Sequence, residues 1–508
     1  MSRAPGIPAF VAFLLLALAV LATQLGGLGR EVIDPDESSF ILMGADVAMG
    51  HLPFVHQFDL KPPVIFLLIG GVFALLGDSL AAVRLLGDAM VLGTALLLFL
   101  TARRHTGSWA ALGGALLWVA MASTEFGQPT YSELPAALFT VGALWLLTKP
   151  PVSRRAAMIA GLCTALAVLS RTNLYPLPVI IGLMLLFANR IRPGGATPYA
   201  WLAFGLGGLI PVGLLVLTYA VAGQLAILRL AMIDVPLAYA DQMGPLAVMQ
   251  SHASQLYVWI TMKPLILIPA VLLGGAGLVM GWRRKALQAG TGFCWFMTIS
   301  LVFTVALAVS LMVSGAAYPH YWLQIMPLLA LSGAVALGQI APILREVSPR
   351  LAPMAALLVL APLGAAMAER LPESATVAAD PASADDRFEI AAAARHIALT
   401  GSKPVQVWAW RKHLIHWYLH APQLSPASVH PDNLARPPIM QPLARAGYVS
   451  DDEIGRLMTM VPEFVVTDSK DVGIGWLRAA ERPIDSWLAV HYRLDARFGD
   501  VVVYRRVN

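Results

Sequence analysis

The chain has 508 residues, 58% hydrophobic and only 13% charged. Soluble domains carry about a quarter charged residues, so this composition excludes a soluble protein and points to an integral membrane protein. The net charge of +5 is no sign of a nucleic-acid binder, because the basic residues sit in short clusters between apolar runs, as positive-inside topology requires.

Crossing a membrane takes about 20 apolar residues. Runs of roughly that size occupy 7–29, 80–102, 108–123, 133–148, 155–170, 174–188, 199–222, 263–282, 290–314, 320–340 and 351–368. The first outlasts the apolar core of a signal peptide and reads as an uncleaved span. Another run, 63–77, is shorter and begins at Pro63 with Pro62 before it.

Whether 63–77 crosses decides the sidedness of everything after it. Arg103-Arg104, Lys149 with Arg154-Arg155, Arg190 with Arg192, Arg283-Arg284-Lys285 and Arg345 with Arg350 are expected on the cytoplasmic side. They all fall there if 63–77 lies against the outer face instead of crossing. The count is then eleven spans, with the N-terminus inside and the C-terminus outside. Residues 30–79, the turns near Glu125–Ser132 and Arg171–Asn173, the loop 223–262, Gly315–Pro319 and everything after about 369 are expected outside.

The tail changes character. Asp380, Asp385, Asp386, Arg387 and Glu389 open a polar segment that reads as helix to about 398. VQVWAW (405–410), EFVVTD (463–468), WLAVHYRL (487–494) and DVVVYRR (500–506) read as strands, and 451–460 as an amphipathic helix. The expected organisation is a membrane domain over 1–370 with its first outer loop at 30–79, a linker at 371–384 and a small α/β domain over 385–508.

The chemistry-bearing residues collect on the outer side. Asp34, Asp36 and Glu37 stand in IDPDESS directly after the first span, with Pro35 stiffening the backbone between the aspartates. Phe40, Met43 and Val47 follow at helical spacing, as in a helix lying at the membrane surface. These acids read either as a solvated loop or as a general base and metal ligands. Lys61 of FDLKPP is either a snorkelling lysine or a point cation for a lipid-linked phosphate, with Asp59 orienting it or sharing a metal.

Arg84 and Asp88, spaced i,i+4 in the second span, read as a structural ion pair. Glu133 opens the fourth span behind Tyr131, as a cap or a functional acid. Arg171 closes the fifth span on the outer side, against the positive-inside rule, and is a candidate anion ligand. Tyr318, His320 and Tyr321 stand at the outer mouth of the tenth span, as an aromatic belt or as phosphate or metal ligands; His56 is a weaker candidate of that kind. The loop 223–262 carries Asp234, Tyr239, Asp241, His252 and Tyr257, among which the sequence does not select. Cys163 and Cys294 lie in apolar runs and read as packing residues. The chain lacks a CxxC, a Cys/His zinc pattern, a P-loop and a strand-linked GxGxxG, so no motif supports a metal, nucleotide or dinucleotide cofactor.

The stretch DPDESSF…FDLKPPVIFLLIGGVFALLGDSLAAVRLLG resembles the N-terminal module of GT-C glycosyltransferases, specifically the bacterial relatives of protein O-mannosyltransferases and the lipid A aminoarabinose transferase. The elements of the resemblance are Asp36-Glu37, Asp59-Leu60-Lys61-Pro62-Pro63, and Leu76-Gly77 through Val83-Arg84-Leu85. SELPAALF from Ser132 and HYWLQIMPLLAL from His320 also look like family segments.

The resemblance implies inverting transfer of a sugar from a polyprenyl-phosphate donor, undecaprenyl phosphate in bacteria, to a lipid, glycan or protein acceptor at the periplasmic face of the inner membrane. It implies Asp36 as the base that deprotonates the acceptor, beside Glu37, and Lys61 as a donor-phosphate contact. Arg171 and His320 are further candidates for that contact, Asp59 and Glu133 for orienting or metal binding, and Tyr131, Tyr318 and Tyr321 for lining the substrate cleft. Some members hold a divalent ion with an acid at the KPP motif; here that acid is Asp59, with Leu60 between it and Lys61, a departure from the pattern. The rival readings are a polyprenol-linked sugar or lipid transporter, which would place ionisable residues deep in several spans and show an internal repeat, and a structural subunit that acts through its tail.

Overall fold

The computed structural model describes residues 6–124, 129–287, 292–348, 350, 353–379, 388–469 and 475–507. Asp380, Asp385, Asp386 and Arg387, and residues 125–128 of the expected outer turn, lie outside the described residues. The chain forms two compact units. One, the membrane unit, comprises Met1–Gly27, Arg84–Leu217 and Met243–Ala375; the other, the head unit, comprises Leu28–Val83, Thr218–Gln242 and Thr376–Asn508. The first loop and the tail, at opposite ends of the sequence, thus fold into one body.

Among the described residues, seven helices are long and apolar enough to cross a membrane: Ala9–Gly29, Leu80–Thr106, Ala200–Val221, Pro264–Lys285, Gly292–Met312, Met326–Val347 and Met354–Val377. This makes the chain a multi-pass membrane protein. Ser108–Ala122, Glu133–Leu147 and Thr172–Leu186 are shorter apolar helices in three further expected spans, and Arg154–Val168 occupies a fourth. The short run expected against the outer face forms the helix Val64–Leu76, about 20 Å long at 1.5 Å per residue.

Within the membrane unit, small residues set the helix spacing, because hydrocarbon gives helices no hydrophobic reason to associate and close packing must hold them. A Cβ on Gly277 would lie 1.7 Å from the Ser332 carbonyl oxygen, so the helices Pro264–Leu287 and Met326–Val347 touch backbone to backbone. Arg84, near the start of Leu80–Thr106, donates from Nη1 to the Gly27 carbonyl. That bond gives a costly buried guanidinium one partner at the open end of the first helix.

The head unit has its own sheet, in the order β1 (Val407–Ala409), β2 (Phe464–Asp468), β4 (Val501–Arg506), β3 (Tyr492–Phe498). β1 and β2 are parallel, and the other pairs are antiparallel. Val407, Trp408, Phe464, Val465, Val466, Val501 and Val503 are its buried core. The β3–β4 turn is Gly499-Asp500, with Gly499 at φ +54°, the left-handed conformation a two-residue hairpin needs.

One expectation fails here. WLAVHYRL is not a strand throughout: the helix Gly475–His491 runs into β3, which starts at Tyr492. Ile484, Trp487 and Leu488 are buried at helical spacing, and that period overrides the strand-like composition.

Candidate active site

The helix Pro35–Ala48 starts at the acid cluster. Asp34 is its N-cap, accepting from the Asp36 backbone N–H at 2.8 Å, and Pro35 fills the first helical position. The Asp34 carboxylate is therefore consumed by folding. Asp36 and Glu37 fall in the first turn, where the helix dipole favours negative charge. Val64–Leu76 packs against this helix through paired glycines: a Cβ on Gly44 would sit 2.4 Å from Ile69 Cγ2, and one on Gly70 2.5 Å from Val47 Cγ1. Its lead-in, FDLKPP, is folded by Asp59, whose Oδ1 accepts from the Lys61 backbone N–H at 2.9 Å in an Asx turn.

This packing brings Lys61 to Asp36. Lys61 Nζ donates to Asp36 Oδ2 at 2.8 Å, and both side chains are mostly buried. The ammonium also lies 5.7 Å from the centre of the Phe40 ring, a cation–π contact. Asp36 Oδ1 stands 3.2 Å from Nε2 of His430, a residue of the tail. Asp59 is buried, and its carboxyl is pushed up, first by burial and also by the charge of Asp36, against the opposing pull of Lys61 and His430. Glu37 is buried in the same helix turn.

The tail supplies a second histidine. His413 Nε2 lies 3.1 Å from the Pro35 carbonyl and 3.3 Å from Ser39 Oγ, while Ser39 Oγ donates to the Val429 carbonyl at 3.0 Å. Burial, reinforced by neighbouring His430, pulls His413 down to about 3, so its ring is neutral at pH 7 and donates to the carbonyl. Glu31 completes the join by accepting from the backbone N–H groups of Ile390 (2.8 Å) and Ala391 (2.7 Å), capping the helix Glu389–Thr400 from across the unit. Sequence reasoning missed His413 and His430. The available signal was the crowding of four of the eleven histidines into 413–430.

The membrane unit holds a separate polar cluster. Glu133, fully buried at the start of Glu133–Leu147, meets Arg171 Nη1 at 3.2 Å and His320 Nε2 at 3.7 Å through Oε1. The His320 ring stacks on Tyr131 at 4.6 Å and on Tyr318 at 5.6 Å. Arg171 lies over the Tyr321 ring at 4.2 Å. The structure thus brings Glu133, Arg171, His320 and the three tyrosines together in one unit, and Asp36, Glu37, Asp59 and Lys61 together in the other.

No curated protein matches the chain by sequence. The family model for dolichyl-phosphate-mannose-protein mannosyltransferases matches residues 60–216. ArnT from Cupriavidus metallidurans bound to undecaprenyl phosphate is similar over 98% of both chains, with a TM-score of 0.60 at 14% identity. The Archaeoglobus fulgidus oligosaccharyltransferase in its apo form is similar over 91% of this chain and 69% of its own, with a TM-score of 0.54 at 12% identity. This is a GT-C glycosyltransferase fold.

The match to ArnT extends the GT-C fold through the tail, so the tail sheet belongs to the shared architecture. The mannosyltransferase match takes in Lys61, Tyr131, Glu133 and Arg171, but begins after Asp36 and ends before His320. The resemblance implies a divalent ion at the KPP motif of some members of this fold. Asp59 is buried with its Oδ1 held by its own turn, and no step below runs through such an ion.

Proposed function

We propose that the protein transfers a sugar from a polyprenyl-phosphate donor, undecaprenyl phosphate in a bacterial inner membrane, to an envelope acceptor at the periplasmic face, with inversion. The observation that carries this reading is the Asp36–Lys61 pair, a carboxylate and an ammonium held at 2.8 Å by two helices packed glycine to glycine. The relatives in structure include ArnT bound to undecaprenyl phosphate and the archaeal oligosaccharyltransferase with an inhibitory peptide and a dolichol-phosphate, which supports a lipid-linked donor.

In the donor-free state Lys61 Nζ occupies Asp36 Oδ2. The donor phosphate is a stronger partner for a point cation, so Lys61 turns to it and frees Asp36 Oδ2 as a base. The acceptor oxygen then attacks the anomeric carbon, and its proton passes to Asp36. The bond from that carbon to the phosphate oxygen breaks, and the electron pair leaves with polyprenyl phosphate. Attack opposite the leaving group inverts the centre. His430, on the other carboxylate oxygen, fixes the orientation of Asp36. Glu37 and Asp59 orient the groups around this pair, and Arg171 with His320 is assigned an anion-binding role in the membrane unit, oriented by Glu133 and flanked by Tyr131, Tyr318 and Tyr321.

The test uses proteoliposomes containing the full chain, a radiolabelled polyprenyl-phosphate sugar and an envelope lipid extract. Transfer releases one polyprenyl phosphate for each sugar attached to acceptor. A transporter would move the donor and release none, an outcome that refutes this reading.

A further inference from the structure

The helix that carries Asp36 at its first turn ends in a second polar cluster, outside the chemistry above. Asp46, buried in its last turn, offers Oδ1 to two ring nitrogens: His51 Nδ1 at 2.8 Å and His56 Nδ1 at 3.4 Å. The two imidazoles meet edge to face with ring centres 4.1 Å apart. The ligand atoms of the three residues lie within 4.8 Å of one another. One carboxylate oxygen and two ring nitrogens this close together can share a single ion.

We propose that Asp46, His51 and His56 bind a divalent transition-metal ion, Zn2+ by ligand type. Tetrahedral zinc takes imidazole nitrogen at about 2.0–2.1 Å and carboxylate oxygen at about 2.0–2.2 Å, which sets its ligands roughly 3.3 Å apart. The two Asp46–histidine spacings, 2.8 and 3.4 Å, bracket that value. Three protein ligands with both histidines partly open to solvent leave the fourth position for water. Nitrogen-rich donors favour zinc over magnesium or calcium, which take oxygen.

The loop bearing the histidines is built in advance. Gly50, at φ +94°, turns the chain out of the helix, and the His51 N–H returns to the Asp46 carbonyl at 3.3 Å. Tyr219 Oη donates to the Pro53 carbonyl at 2.5 Å, and Tyr448 Oη donates to the carbonyls of Phe54 and Val55, the latter at 3.0 Å. A preorganised loop costs a metal little ordering entropy. Ten residues of helix, about 15 Å at 1.5 Å per residue, separate Asp46 from Asp36. Bound there, the metal clamps the end of the acid helix to the loop that leads into Asp59 and Lys61.

The test uses tag-free, full-length protein in detergent, stripped with chelator, dialysed against ZnCl2 and then against metal-free buffer. Metal content is read by mass spectrometry, and Co2+ substitution by its visible ligand-field bands. Wild type and Asp36→Asn are expected to retain one equivalent, with four-coordinate cobalt bands. His51→Gln and His56→Gln, checked for folding by size exclusion and circular dichroism, are expected to lose it. A wild type that retains no metal, or folded variants that retain as much as wild type, would overturn the proposal.

Discussion

Asp36 and His430 lie 3.2 Å apart, Oδ1 to Nε2, although one opens the first loop and the other sits in the tail. The proposed base is therefore positioned by both ends of the sequence. The tail takes part in the site through His430, and through His413 against the Pro35 carbonyl and Ser39.

If His430 positions Asp36, His430→Ala slows transfer at saturating donor while leaving donor KM near its wild-type value. A lost hydrogen bond to a charged group is worth about 1.5–3 kcal/mol, or roughly 10- to 100-fold in kcat. His430→Gln, which keeps a donor within reach, restores part of that loss. A purely structural role would instead lower the amount of folded enzyme and leave kcat per folded molecule unchanged.

Lys61 acts on the other substrate. Lys61→Ala is expected to weaken donor binding by about 10- to 100-fold, the worth of one charge-assisted contact. Lys61→Arg keeps the charge and recovers part of the affinity. Equilibrium binding of a radiolabelled polyprenyl phosphate measures both.

The tail histidines give stability a pH dependence whose sign follows from their burial. His413 is pulled down to about 3 and His416 to about 4, in each case first by burial. The unfolded chain, with histidines near 6.5, binds protons that the folded chain refuses. Stability is thus fully present above pH 6.5 and falls as the pH drops toward 4, at up to about 1.4 kcal/mol per pH unit for each histidine. Thermal midpoints between pH 7 and 4.5 should show this fall, and His413→Gln should flatten it.

Glu133 and Arg171 form a buried pair at 3.2 Å. Removing one partner leaves an uncompensated buried charge and costs about 3–5 kcal/mol. Glu133→Leu alone is expected to reduce folded yield sharply. The double variant Glu133→Leu with Arg171→Met restores yield, and under the proposed anion-binding role it binds donor more weakly than wild type. Fluorescence-detected size exclusion and the donor-binding assay separate the two effects.

Much of this architecture was legible in the sequence. Asp36 and Lys61 announced themselves because charges are costly in an apolar chain, and Pro62-Pro63 marked the start of the short helix. The α/β character of the tail was legible from alternating apolar residues such as Val501 and Val503. What stayed hidden depends on contacts between distant segments. Nothing near Glu31 says that it caps the helix at Ile390, and nothing near His430 says that it reaches Asp36. WLAVHYRL misled because Trp487 and Leu488 suit a buried strand as well as a buried helix face.

The most direct measurement is single-turnover transfer by Asp36→Asn with donor bound. Asparagine keeps the size and one acceptor oxygen, which can serve Lys61 or His430 but not both, and cannot accept a proton. Donor affinity is expected within a few-fold of wild type and the transfer rate at least about 100-fold lower, in line with the typical worth of a positioned base. Transfer at the wild-type rate by Asp36→Asn would contradict the role of Asp36 as base.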